Sequence, residues 1–224
     1  GIDTRHVVFD EAATGHAIIQ VAPNGENAIF LFAGANKQVS EAEVIAAIAG
    51  CQPGDTLLLQ NETSSVAEAM HAARQRGLRI TFNPAPMSPE VHQYPLALVD
   101  IFILNESEAE ALTGSSEVMA VRANMLERFP AAATILTQGA RGDTYFDAEM
   151  IHHEAALPVN PVDTTGAGDT FIGFFLAELI RTSKPAEAMA MACRAAAICV
   201  TKAGASDSIP SRLDLAAFLS EGVR

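Results

Sequence analysis

Short apolar runs alternate with helix signals through the middle of this chain, and that alternation limits the fold more than any other feature. Thr56-Leu57-Leu58-Leu59-Gln60, Arg79-Ile80-Thr81-Phe82, Leu98-Val99-Asp100-Ile101-Phe102-Ile103-Leu104 and Thr134-Ile135-Leu136-Thr137 read as strands. The run at Thr56–Gln60 has the apolar character of a buried strand. Helices lie between and before them. Ser40-x-x-Glu43 is a capping box whose helix ends near Gly50, and Ser65-x-x-Glu68 opens a helix closed by Gly77. Further helices are expected from about Glu106 to Leu112 and from about Val118 to Phe129. This order predicts an α/β fold with a doubly wound, mostly parallel sheet covered on both faces.

The flanks depart from the pattern. Thr14–Val21 and Asn27–Phe32 read as a hairpin about a turn at Pro23-Asn24-Gly25-Glu26, where Asn-Gly tolerates positive φ. This small flap, about residues 14–33, is core, a cover over a site, or a dimer surface. Thr144–Phe146 and Met150–His153 read as an antiparallel pair. One helix follows Asp169, another runs from Pro185 to about Lys202, and a short one follows Ser211. With no repeat, low-complexity segment or linker, residues 1–224 read as one domain.

Composition removes several function classes. Apolar residues make up 49% of the 224, enough for a packed core. A net charge of −13 argues against nucleic acid or an anionic membrane as partner. A bound phosphate must therefore be met by backbone N–H groups, a cation or a local Lys or Arg. Cys51, Cys193 and Cys199 are odd in number and lack metal spacing, which fits reduced thiols in a cytoplasmic protein. No apolar run reaches the roughly 18–20 residues of a membrane span, and no signal peptide is visible. His152 and His153 are adjacent, so in a strand they face opposite ways, a poor geometry for a shared metal. There is no P-loop and no Gly-x-Gly-x-x-Gly between a strand and a helix.

The stretch with the most chemistry is Asn160-Pro161-Val162-Asp163-Thr164-Thr165-Gly166-Ala167-Gly168-Asp169-Thr170, followed at once by Phe171-Ile172-Gly173-Phe174-Phe175-Leu176. A helix is expected to begin inside it. The N–H groups of Gly166, Ala167 and Gly168 would then face outward as an anion hole. Asp169 falls in the first helical turn, so a carboxylate stands beside the cradle. That pairing suits phosphoryl transfer to a hydroxyl. Asp in a first turn also caps helices, by about 0.3–1 kcal/mol.

Asp163-Thr164-Thr165-Gly166-Ala167-Gly168-Asp169-Thr170-Phe171 closely resembles the signature of the ribokinase family of carbohydrate kinases. The resemblance runs from Gly1-Ile2-Asp3-Thr4 to Pro210 and implies a ribokinase-like fold. It implies ATP-dependent phosphorylation of a sugar's primary hydroxyl, with D-ribose foremost and fructose, deoxyribose or a nucleoside as alternatives. Asp169 would be the catalytic base and also contact the sugar, with Glu62 as a second sugar contact. Asn105-x-x-Glu108 matches a family motif in which Asn105 contacts nucleotide phosphates and Glu108 helps hold the Mg2+ shell; taken locally, it is a capping box. Thr137, Gln138, Gly139, Ala140, Arg141 and Gly142 match the loop bordering the nucleotide, with Gly168 at the phosphates. Cys193 falls where relatives carry a side chain beside adenine. Asp163, Thr165, Cys199, Lys202, Gly204 and Ser208 match the segments that hold a K+ ion. Asn83-Pro84-Ala85-Pro86 is similar to the family as well, and otherwise reads as a turn set by two prolines.

Family members are usually longer by several dozen N-terminal residues, which carry first strands of the sheet, a sugar-gripping Asp and a Gly-Gly motif. Gly34-Ala35-Asn36 is only superficially similar to the latter. The expectation is a piece of a longer kinase rather than a natural short variant, because missing strands would leave an apolar edge. A silent nucleotide- or sugar-binding module is the alternative. Small-molecule partners, and a homodimer through the hairpin flap, complete the expectations.

Overall fold

The computed structural model describes residues 2–21 and 27–221. Strands β1 (His16–Val21) and β2 (Asn27–Phe32) pair antiparallel, His16 opposite Phe32 and Val21 opposite Asn27, as a separate two-stranded sheet. The turn expected at Pro23–Glu26 lies outside the described residues.

The main sheet has six strands in chain order: β3 (Thr56–Gln60), β4 (Arg79–Asn83), β5 (Ile101–Asn105), β6 (Ala133–Thr137), β7 (Asp143–Phe146) and β8 (Ile151–Glu154). The first four run parallel and the last two turn back antiparallel. Helices α1 (Glu41–Ile48), α2 (Val66–Gln75), α3 (Glu106–Thr113) and α4 (Val118–Arg128) join a core containing Ile80, Phe82, Phe102, Leu104, Leu136 and Phe146. The alternate residues of the strands, Ile101, Ile103, Ile135 and Tyr145, pack instead on α5 (Ala167–Thr182) and α6 (Pro185–Cys199). A period of two along the strands thus divides the apolar set between two helical layers. Helix α7 (Arg212–Glu221) packs Leu215 on Ile198 of α6. No described helix is long and apolar enough to cross a membrane.

Local chemistry sets the element ends, with three departures from expectation. The Ser40–Glu43 capping box forms, but Ser65 makes none: it sits at φ 58° and its hydroxyl donates to the Val39 carbonyl at 2.7 Å. The hydroxyl ties the α2 entrance to the segment before α1 rather than to its own helix. The strand expected from Leu98 starts at Ile101, because Pro95 leads into a 3-10 turn at Leu96–Leu98 that buries Leu96. Helix α6 stops at Cys199 rather than near Lys202. The Val200 carbonyl accepts the N–H groups of Val162 and Asp163, which draws the chain toward the α5 entrance.

Candidate active site

The carboxyl ends of β3, β4 and β5 and the amino end of α5 meet at one place. Gly166 caps α5 at φ 77°, a conformation that costs a non-glycine residue about 1–2 kcal/mol. The cap turns the chain so that the first-turn N–H groups face out of the helix. Of the three expected cradle amides, Ala167 is engaged, donating to the Thr164 carbonyl at 3.2 Å. Among the described residues, the N–H groups of Gly166, Gly168 and Asp169 have no partner in the chain. Gly168 and Asp169 are exposed, and a Cβ built at Gly168 meets nothing within 4 Å. Unpaired N–H groups at a helix start, facing free space, are suited to an anion.

The Asp169 side chain is exposed at the edge of this opening. Its Oδ1 accepts from Gln60 Nε2 at 3.4 Å. Gln60 ends β3, and the same Nε2 donates to Asn83 Oδ1 at the end of β4 at 3.0 Å. Asn83 Nδ2 donates onward to Glu108 Oε2 at 3.1 Å and to the Ile103 carbonyl at 2.8 Å. Hydrogen bonds thus join the ends of three parallel strands and two helices in one line.

Glu108 is 5% exposed. Burial pushes its carboxyl up, against the Asn105 N–H and the Asn83 amide, which pull it down. The Asn105–Glu108 capping box is real: Asn105 Oδ1 accepts the Glu108 N–H at 2.9 Å, and Glu108 Oε2 accepts the Asn105 N–H at 2.9 Å. Asn105 Nδ2 donates to Glu108 Oε1 at 2.8 Å. Glu62 is exposed in the loop after β3.

The loop after β6 is a 3-10 turn at Gly139–Arg141. Gln138 N–H is shared between the Gly142 carbonyl and Asp143 Oδ1, each at 3.1 Å. The Thr137 hydroxyl donates to the Leu104 carbonyl at 3.3 Å, and Arg141 pairs with Glu106 at the start of α3. Cys193 is 5% exposed and donates its thiol proton to Asp143 Oδ2 at 3.1 Å. Burial pushes both the Asp143 carboxyl and the Cys193 thiol up. Cys193 therefore braces the loop from below.

Behind the cradle, the expected cation residues come together. Asp163 Oδ1 accepts the Thr165 N–H at 2.9 Å and Oδ2 accepts the Gly204 N–H at 3.0 Å. Those backbone bonds, Thr165 first, hold its carboxyl below the usual range. Ser208 is fully buried; its hydroxyl meets the Ala205 carbonyl at 2.6 Å and the Cys199 sulfur at 3.1 Å. The Cys199 carbonyl accepts the Lys202 N–H. Among the described residues, no cluster of three His, Cys, Asp or Glu side chains is placed to hold a metal. His152 reaches Glu154 and His153 reaches Thr144, so the two rings serve separate contacts.

Residues 1–212 match the pattern of the pfkB family carbohydrate kinases. The chain belongs to that family. This pfkB kinase is 39% identical over 229 residues to the ribokinase of Haemophilus influenzae, covering 98% of the chain and 74% of that relative. It is 31% identical over 228 residues to the deoxyribokinase of Salmonella typhi, covering 98% of the chain and 74% of that relative. Among solved structures it resembles a Cryptococcus neoformans ribokinase in complex with ADP, at TM-score 0.81 and 31% identity, covering 94% of this chain and 73% of that one. The chain is that of a sugar kinase with the ribokinase-like fold.

Gln60 and Asp143 of this pfkB kinase were missed by sequence reasoning as parts of the candidate site, and Asn83 was met only within a family-like turn. Gln60 and Asn83 are side-chain amides that close adjacent parallel strands and stand opposite each other in register. Each amide stands at the carboxyl end of an expected strand, but which strands are neighbours shows only in the sheet. Asp143 was hidden as the first residue of a strand, although a carboxylate directly after a glycine loop, entering a buried strand, calls for donors nearby.

Proposed function

We propose that this chain catalyses ATP-dependent phosphorylation of a sugar's primary hydroxyl, with D-ribose giving ribose 5-phosphate. The single observation that carries the reading is the Asp169 carboxylate beside unpartnered N–H groups at the start of α5. In the step, the hydroxyl oxygen forms a bond to the γ-phosphorus, the bond to the ADP oxygen breaks, and the hydroxyl proton passes to Asp169. The N–H groups of Gly166, Gly168 and Asp169 take the negative charge on the moving phosphoryl. Ribokinase and deoxyribokinase relatives support a five-carbon sugar, and an ADP-bound ribokinase neighbour supports an adenine nucleotide.

Glu62 is the sugar contact, since an exposed carboxylate accepts from hydroxyls. Asn105, Thr137, Gln138, Gly139, Ala140, Arg141 and Gly142 line the nucleotide side, with Cys193 acting through Asp143. Glu108 fits the outer Mg2+ shell: its carboxylate accepts three N–H bonds that keep it fixed, and a metal-bound water is a partner it could still take. When bound there, magnesium would neutralise charge on the phosphates. The hard oxygens around Asp163, Thr165, Cys199, Lys202, Gly204 and Ser208 fit a K+ ion, which supplies rigidity to the cradle. The exposed apolar residues Ile18, Phe30, Leu31 and Phe32 on β1 and β2 support a homodimer through that hairpin, and the free thiols of Cys51, Cys193 and Cys199 support the cytoplasm as its compartment.

The test is turnover of ribose, deoxyribose, fructose and a nucleoside with ATP, each with and without potassium. Fastest turnover of ribose, raised by potassium, supports the reading. No ADP formation with any of them overturns it.

A further inference from the structure

We infer that Gln60 is a positioning residue that fixes which oxygen of Asp169 faces the substrate. The inference rests on the reading of Asp169 as the base. The amide line has one direction. Asn83 Nδ2 has two acceptors, the Ile103 carbonyl at 2.8 Å and Glu108 Oε2 at 3.1 Å. A backbone carbonyl is only an acceptor, so the Asn83 amide has one permitted orientation. Its Oδ1 must then face Gln60, and Gln60 must answer with Nε2. One N–H goes to Asn83 and the second points to Asp169 Oδ1. A flipped Gln60 would set its oxygen against both the Asn83 oxygen and the Asp169 carboxylate.

The consequence falls on Asp169. Its Oδ1 is held by Gln60, while its Oδ2 has no hydrogen bond among the described residues. A carboxylate on an exposed first turn is otherwise free to rotate. The Gln60 N–H stops that rotation and leaves Oδ2 to accept the hydroxyl proton. Asn83 at 7% and Glu108 at 5% exposure give the line a buried anchor, so the constraint comes from inside the fold.

Two substitutions of similar volume test this, each made in the parent and in Asp169→Asn, with kcat, both KM values and Tm measured. Gln60→Met keeps the bulk and removes both N–H groups. It is expected to lower kcat roughly 10- to 150-fold, the size of one hydrogen bond to a charged group, with both KM values within about twofold and Tm close to the parent. Gln60→Glu is expected to lose more, because it sets two carboxylates face to face. Neither is expected to add to the loss in Asp169→Asn. A kcat within about twofold of the parent in Gln60→Met, a loss confined to KM, or an equal loss in Asp169→Asn overturns the inference while the base reading stands. If Gln60→Met does not fold, Gln60→Glu decides by the same criteria. Near-parent turnover of Asp169→Asn, or none by the parent chain, removes the base reading and the inference together.

Discussion

Asp163 Oδ2 accepts the backbone N–H of Gly204 at 3.0 Å, across 41 residues of sequence. Its other oxygen holds Thr165 N–H, one residue before the α5 cap. One carboxylate therefore ties the approach to the anion cradle to the chain leaving α6.

Asp163→Asn replaces one of the two acceptor oxygens with a donor that faces an N–H. We expect a lower Tm and weaker stimulation of turnover by potassium. The pH dependence has a definite sign. The folded carboxyl titrates below its unfolded value, so its contribution is present above about pH 4 and is lost as pH falls through the lower folded value. The Tm gap between parent and variant should be steady near neutrality and narrow below about pH 4. Thermal melts across that range check it.

Asp143 should behave in the opposite way. Burial raises its folded pKa, so the folded state binds the proton more tightly than the unfolded chain. Its effect on stability is most favourable below about pH 4 and declines as pH rises through the folded value. Parent stability relative to Asp143→Asn should therefore fall as pH rises from about 4 through the folded value. A relative stability that rises with pH would contradict the assigned burial effect.

Gly166→Ala tests the cap geometry. At φ 77° a Cβ costs about 1–2 kcal/mol. The added atom would also stand 3.4 Å from the Ala205 carbonyl oxygen, a contact that needs little adjustment. Urea unfolding should show a loss of that size, with weaker nucleotide binding as the first-turn amides shift.

The layering was legible because apolar period and helix caps agree. Leu104 and Ile103 point to opposite helical layers, and the caps at Ser40 and Asn105 form as their spacing requires. The glycine–aspartate stretch also folds as its residues demand: Gly166 takes the left-handed turn and Asp169 lands in the first helical turn. Ser65 misled because a hydroxyl bonds whichever backbone group comes near, and here tertiary packing supplies the Val39 carbonyl. The Gln60–Asn83 line was not legible because it depends on strand neighbours 23 residues apart, which only sheet order reveals. The Asp143–Cys193 contact spans 50 residues and was hidden for the same reason.

The central claim is that Asp169 removes the proton from the sugar hydroxyl beside a cradle of N–H groups. The most direct measurement is single-turnover phosphorylation by Asp169→Asn, with nucleotide binding followed in parallel by calorimetry. We expect turnover to fall by on the order of 10²–10⁴ while ATP binds as it does in the parent. Turnover within a few-fold of the parent, with binding intact, would contradict the account.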